Sequence, residues 1–397
     1  MSTSDLRVLV AHVRYRQAGG EDTVFETEVE LLESSGTEVA VLDLPGAHLD
    51  AMSLLRLVRL SLSYANHRYG RRLISARIDG YRPDVVHFHN IYPLLGPGAI
   101  LQTVAMNCTT VMTLHNHRLS CLAGTHVLNG EHCDRCRPGH FAAGIRHACY
   151  RGSRTQSALA TRATTRQWAN FVSLSAPTLL IALTEAMKDQ YVSYGGDPDR
   201  IIVKNSSVPA GATEEGPRAG VFCAGRLSGE KGIVELMQAW PAGAPLLTVA
   251  GAGPMEDGAI AIRKPNVRFL GWLPRGSVRH LARMAKVVVV PSLGREPTSL
   301  VALEAFSEGT PVVAFAGGAL GTVVRGMSVD CTAPMLDFAA LAEAAGAMAV
   351  SPRWHEVSAA CRSTYASAYT LERNLAALES IYARAIEIHG SGQRAGS

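Results

Sequence analysis

Four consecutive valines, Val287 to Val290, constrain this chain more than any other feature. An apolar run without polar alternation suits a parallel strand buried on both faces, and such a strand needs helices packed on either side of its sheet. The next residues, Pro291-Ser-Leu-Gly-Arg-Glu296, are loop formers. Pro297 suits the first turn of a helix, and Ser299 to Ser307 carries helical apolar spacing. Glu296 then sits in the loop at the carboxyl end of a strand, with Glu304 about one and a half to two turns into the following helix. Ligands of open α/β sheets bind at that edge, and a helix start offers free backbone N–H groups to an anion. Two carboxylates eight residues apart beside such a terminus suit a ligand with both hydroxyls and phosphates.

The same grammar runs through the whole chain. Arg7 to Ala11 reads as a strand, Gly19-Gly20 as a loop, Thr23 to Ser34 as a helix and Glu38 to Leu42 as a second strand, the opening of a Rossmann-type half. Asp84 to Asn90 and Thr109 to His117 read as strands that place His87, His89, His115 and His117 at their carboxyl ends. Leu179 to Leu183 and Ile201 to Val203 continue the set, and the turn-rich Pro209 to Pro217 reads as a linker. Strands at Gly220 to Ala224, Leu246 to Ala250 and Pro311 to Phe315 rebuild the pattern around the valine run, and Leu371 to Ile388 reads as a terminal helix. A length of 397 residues accommodates two such domains. In the second half Arg226 and Lys231 flank a predicted helix start that Lys231-Gly232 opens, an arrangement fit for a diphosphate.

Four motifs follow one another in order: Gly225-Arg-Leu-Ser-Gly-Glu-Lys-Gly232, Val249-Ala-Gly-Ala-Gly-Pro254, Phe269-Leu-Gly-Trp-Leu-Pro274 and Glu296-x7-Glu304. With Gly19-Gly-Glu-Asp22 near the N-terminus, they resemble the retaining glycosyltransferases of the GT-B fold, family GT4. The resemblance implies two Rossmann-like domains facing each other across a cleft. Residues 1–208 would be the acceptor domain, with a Cys-rich insertion at 118–153, and residues 218–370 the nucleotide-sugar donor domain. Residues 371–397 would cross back to the first domain.

It further implies that Glu304 holds the ribose hydroxyls and Glu296 a sugar hydroxyl, while Arg226 and Lys231 neutralise the departing diphosphate. Gly20, Gly225 and Gly253 would allow close approach, the backbone near Leu270 would meet the nucleobase, and the amides of Thr298, Ser299 and Leu300 would meet the phosphates. His115 would approach the donor sugar or acceptor, and no catalytic metal is expected. The implied reaction moves a sugar from a nucleotide-diphosphate sugar to a hydroxyl of a glycan, a lipid-linked acceptor or a small metabolite. A GT-B nucleotide-sugar epimerase or phosphorylase, and a non-catalytic nucleotide-sugar-binding protein, stay open as alternatives. The chain departs from the family at Gly321, where a Glu is usual, and at Pro297-Thr298-Ser299, which replaces Glu-Gly-Phe.

Two further stretches carry chemistry. Cys121, Cys133, Cys136 and Cys149 include a C-x2-C knuckle and could close a structural tetrahedral zinc site. They lie in the stretch from Arg118 to Trp168, where eight Arg and two acidic residues make a lining attractive to anions. Residues 51–78 hold Arg56, Arg59, Arg68, Arg71, Arg72 and Arg77 among apolar positions with no Asp or Glu, which suits either a helix packed on a sheet or one lying on an anionic membrane surface. Net charge is +4, and no nucleic-acid module is recognisable, so nucleic acid is not expected as a partner. The N-terminus shows no apolar run before a cleavage site, and no stretch reaches the roughly 18–20 apolar residues of a membrane helix. The expected location is cytoplasmic, with peripheral contact at the inner membrane face as an option.

Overall fold

The computed structural model describes residues 6–14, 19–45, 68–212 and 216–395. They fall into two compact units: Met1–Gly124, Asp134–Asn205 and Glu372–Ser397 form the first, and Thr125–Cys133 with Ser206–Leu371 form the second.

In the first unit six strands, β1 (Arg7–Val13), β2 (Glu38–Leu44), β3 (Val85–Phe88), β4 (Thr109–Leu114), β7 (Leu179–Ala182) and β8 (Ile201–Val203), make a sheet in the order β2-β1-β3-β4-β7-β8. Every pairing is parallel. Alternate residues of β1 serve opposite faces. Val8 and Val10 join a core with Val85, Val111 and Ile181, covered by Phe25, Leu378, Ile381 and Tyr382. Leu9 and Ala11 join the other, with Val86, Met112, Ile74 and Ile100. Helices therefore cover both faces, which is why these strands read as unbroken apolar runs.

The second unit repeats the plan with β9 (Val221–Ala224), β10 (Leu247–Ala250), β11 (Val267–Phe269), β12 (Val287–Val290), β13 (Val312–Phe315) and β14 (Thr332–Ala333). Their order is β11-β10-β9-β12-β13-β14, all parallel. All four residues of β12 are buried, as the valine run requires. A short antiparallel hairpin, β5 (Val127–Leu128) with β6 (Glu131–His132), also belongs to this unit. Its Val127 packs on the second unit's core, and Thr125 accepts a hydrogen bond from the Arg295 amide at 3.2 Å.

Two local expectations change. The helix after β12 begins at Leu300, so Pro297 precedes it rather than opening it. Glu304 is its fifth residue and sits just over one turn in, not one and a half to two. Lys231-Gly232 opens a helix as the sequence suggests: Gly229–Lys231 is a 3-10 turn, and Gly232, left-handed at φ 63°, is the N-cap of the helix Ile233–Ala239. Of the basic stretch, residues 51–67 lie outside the described residues, so the membrane-surface reading rests largely on positions not described. Arg68–Tyr81 is a helix whose Ile74 and Ile78 are buried while Arg68, Arg71, Arg72 and Arg77 face water. Among the described residues no helix is long and apolar enough to cross a membrane.

Candidate functional site

In the second sheet the strand order reverses between β9 and β12. Open α/β sheets bind ligands at such a switch point, outside the carboxyl ends of the strands. The loops leaving those two strands carry Gly225 to Gly232 and Pro291 to Ser299. They meet in a definite contact: Lys231 Nζ donates to Glu296 Oε1 at 2.5 Å, and Ser292 Oγ donates to Oε2 at 2.6 Å. Both carboxylate oxygens are thus held by donors, yet the pair stays partly open to solvent, Lys231 28% and Glu296 18% exposed. Arg226 is exposed and makes no ion pair among the described residues.

Gly232 makes this contact possible. A Cβ there would lie 2.4 Å from the Pro291 carbonyl oxygen and 2.9 Å from the Phe338 ring, besides straining a left-handed backbone. Gly232→Ala is expected to cost at least about 1–2 kcal/mol for the backbone conformation alone, read as a lower denaturation midpoint of the full chain. The β10 loop uses glycine in the same way. At Gly251 (φ 154°) a Cβ would come 2.0 Å from the Gly225 oxygen, and at Gly253 one would come 2.5 Å from the Leu227 oxygen. Close approach of protein backbone already requires these glycines, before any ligand is considered. The Leu270 amide is used too, donating to Val249 at 2.9 Å, which leaves it unavailable to a base.

Glu304 is buried and paired with Arg275, whose Nε lies 2.8 Å from its Oε1. Burial pushes the Glu304 carboxyl above its usual range, and the guanidinium of Arg275 works against that shift. Thr298 and Ser299 lead into the helix Leu300–Ser307, whose N-cap Ser299 makes no side-chain capping bond. The first-turn amides therefore lack a side-chain cap, as an anion site requires. The family's usual Glu has no room at Gly321, where a Cβ would meet the Phe315 oxygen at 2.3 Å.

In the first unit the switch point lies between β1 and β3. Gly20 is the exposed first residue of the helix Gly20–Ser34, capped by Gly19. Asp22 ties this loop to β1, accepting from the Gly19 amide at 2.8 Å and from His12 Nε2 at 2.7 Å. The Asn90 amide points at His12 Nδ1 (3.4 Å), which leaves the ring proton on Nε2. His115 follows β4 and lines a small recess with Glu21, His89, Asn90, Asn116 and Arg118. His89 Nδ1 lies 2.9 Å from His115 Nε2. His87 is buried behind them, bonded to the Tyr382 hydroxyl and to Thr113 Oγ1, and His117 is buried.

Zinc at the four cysteines finds no support: among the described residues the one group of ligand atoms with metal-like spacing is Glu28, His87 and His89. Cys136 and Cys149 pack against Leu122, Phe141 and Ala160.

Arg275, one residue beyond the Phe269–Pro274 motif, and Ser292, inside the loop after β12, carry no local sequence signal for their contacts with Glu304 and Glu296. The His12–Asp22 pair is likewise brought together only by the fold.

Comparison with known proteins agrees with this architecture. Residues 5–205 match the family described as glycosyl transferase 4-like domain, and residues 218–349 match glycosyl transferases group 1. The chain is 30% identical over 294 residues to the 2-deoxystreptamine N-acetyl-D-glucosaminyltransferase of Streptomyces fradiae, which covers 67% of this chain and 62% of that protein. It spans less than two thirds of the length of the curated relatives it matches. Among solved structures, Alr3699/HepE of Anabaena in complex with UDP and glucose superposes with a TM-score of 0.62 at 16% identity, over 95% of this chain and all of that one. WaaG, a glycosyltransferase involved in lipopolysaccharide biosynthesis, superposes at 0.60 and 17% identity over 96% of this chain and 99% of that one. The two parallel sheets, the loops at their switch points and the domain matches lead to one assignment: the chain belongs to the GT-B glycosyltransferases, with a glycosyl transferase 4-like domain followed by a group 1 domain.

Proposed function

We propose that this protein is a retaining glycosyltransferase of family GT4, moving a sugar from a nucleotide-diphosphate sugar to a hydroxyl of an acceptor. The observation that carries the reading is the Lys231–Glu296 contact between the two loops of the second unit's switch point. Lys231 and Arg226 take the diphosphate, with the amides of the Leu300–Ser307 helix start. Glu296 takes a sugar hydroxyl, and Glu304, steadied by Arg275, takes the ribose hydroxyls. Such groups stabilise a leaving diphosphate as its negative charge grows, without needing a metal for that step. His115 and its recess receive a sugar hydroxyl in the first unit. The UDP and glucose in the Anabaena structure and the UDP in other neighbours make UDP-sugars the first donors to try. Retention rests on the Glu296-x7-Glu304 match.

A thermal-shift screen with UDP-, GDP-, ADP- and dTDP-sugars tests donor binding, since a ligand at 100 times its Kd adds about 2.7 kcal/mol of stability. NMR of the product formed from the donor that binds then tests the reaction. A new glycosidic bond with the donor's anomeric configuration supports the proposal; an inverted product, or sugar isomerisation alone, contradicts it.

Glu304 gives the site a pH dependence. Its ionised form accepts the ribose hydroxyls, so donor affinity falls as pH drops through a carboxyl pKa that burial has raised. Arg275→Ala removes the nearest opposing cation and raises that pKa further. The loss of affinity is therefore expected to begin at higher pH in the variant, measured by nucleoside diphosphate titration over about pH 5 to 8.

A further inference from the structure

Behind His115 lies a buried polar chain that the proposed reaction does not use. Lys204 and Glu28 are both 1% exposed, and Lys204 Nζ donates to Glu28 Oε1 at 2.5 Å. Lys204 also reaches Asn374 Oδ1 at 3.4 Å. The other carboxylate oxygen, Glu28 Oε2, faces His89 Nε2 at 3.5 Å, longer than a well-formed hydrogen bond, and neither atom has a hydrogen-bond partner. The opposite nitrogen of His89 meets His115 Nε2 at 2.9 Å, and His115 lines the recess.

We propose that the buried Glu28–Lys204 pair fixes the tautomer of His89 and, through it, that of His115, so that His115 presents a bare Nδ1 lone pair to its ligand. The proton count decides this. A carboxylate bound to an ammonium is an acceptor only. If His89 carries its proton on Nε2, that N–H faces Glu28 Oε2, and Nδ1 is left to accept. His115 must then donate from Nε2, which leaves its Nδ1 unprotonated. The reverse assignment sets the His89 Nε2 lone pair against a carboxylate oxygen in a buried position, where an unsatisfied or opposed polar group is costly.

Burial, followed by neighbouring charges, pushes both imidazoles well below their usual range, so both rings are neutral and one proton lies between them. His87 does not compete, because the Tyr382 hydroxyl and Thr113 Oγ1 engage its two nitrogens. For the same reason Glu28, His87 and His89 are not read as a metal site, whatever their spacing. Lys204 already supplies the cation at Glu28, and His87 has no nitrogen to spare. Glu28 and Lys204 are therefore positioning residues: they touch no ligand but decide whether His115 accepts a hydrogen bond or donates one. A bare Nδ1 selects a ligand group that carries a proton, such as a sugar hydroxyl.

The tautomer can be read without any reaction. In the full chain labelled with 15N-histidine, long-range N–H correlation distinguishes the two ring forms, and His115→Gln identifies the His115 signals. The wild type is expected to show His115 protonated on Nε2, and Glu28→Gln, whose amide can donate or accept, to show a mixed or reversed form. The double variant Glu28→Gln/Lys204→Met removes both charges and should release the tautomer without leaving a lone buried cation. A wild-type His115 protonated on Nδ1, or an unchanged tautomer in both variants, overturns the proposal.

The kinetic arm rests on the transferase reading. In Glu28→Gln, kcat is expected to fall about tenfold with donor KM unchanged, the effect of one misdirected hydrogen bond. A released tautomer with unchanged kcat would overturn the positioning role. Absence of transfer in the wild type would count against the transferase reading alone, because the tautomer measurement stands independently of it.

Discussion

Replacing Lys231 with alanine is expected to lower the transfer rate by about 10²–10³, the usual cost of losing one group aimed at developing charge. The position of Lys231 is the reason. Its ammonium touches Glu296 in the loop across the switch point, and both groups are partly open to solvent, so a diphosphate can share that cation. Arg226→Ala should act in the same direction, since that side chain is exposed and has no ion-pair partner among the described residues to occupy it. The fold should tolerate both changes, because a partly exposed pair contributes only about 0–1 kcal/mol. Unchanged turnover in Lys231→Ala with a normal denaturation midpoint would remove Lys231 from the reaction.

Lys204→Met should have the largest effect on stability, a loss of about 3–5 kcal/mol, because it strands the Glu28 carboxylate in an interior that is 1% exposed. The companion change reverses the sign of the problem. When Glu28 is also neutralised, no buried charge remains, and replacing a buried ion pair by uncharged side chains is often neutral or even stabilising. Chemical denaturation of the full chain should therefore place Glu28→Gln/Lys204→Met close to the wild type and well above Lys204→Met. A single variant as stable as the wild type would mean that the pair is not desolvated.

Which parts of this could be read from the chain follows from how local each signal is. The run Val287–Val290 announces a strand covered on both faces, because no alternation survives when helices pack on each side. Lys231 and Glu296 were found as candidates because each lies in a loop next to such a run, and the fold then brings them together. The helix start was misplaced because proline suits both a loop and a first turn. Ser299 remains extended (φ −103°, ψ 103°), so the helix waits for Leu300.

Nothing local marks Lys204 as buried. Its partner Glu28 is 176 residues away, and only the adjacency of β8 to the rest of the sheet joins them. Cysteine spacing suits a metal, but spacing alone does not say whether the thiols converge; Cys136 and Cys149 pack with the apolar cluster around Phe141.

In the proposed function the second unit grips a nucleoside diphosphate through Lys231 and Glu304. The direct test is calorimetric titration of UDP, GDP, ADP and dTDP into the wild type, Lys231→Ala and Glu304→Gln. Saturable binding of at least one diphosphate by the wild type is expected, weakened about tenfold or more in each variant. Binding that survives both substitutions unchanged, or no binding of any of the four, would contradict it.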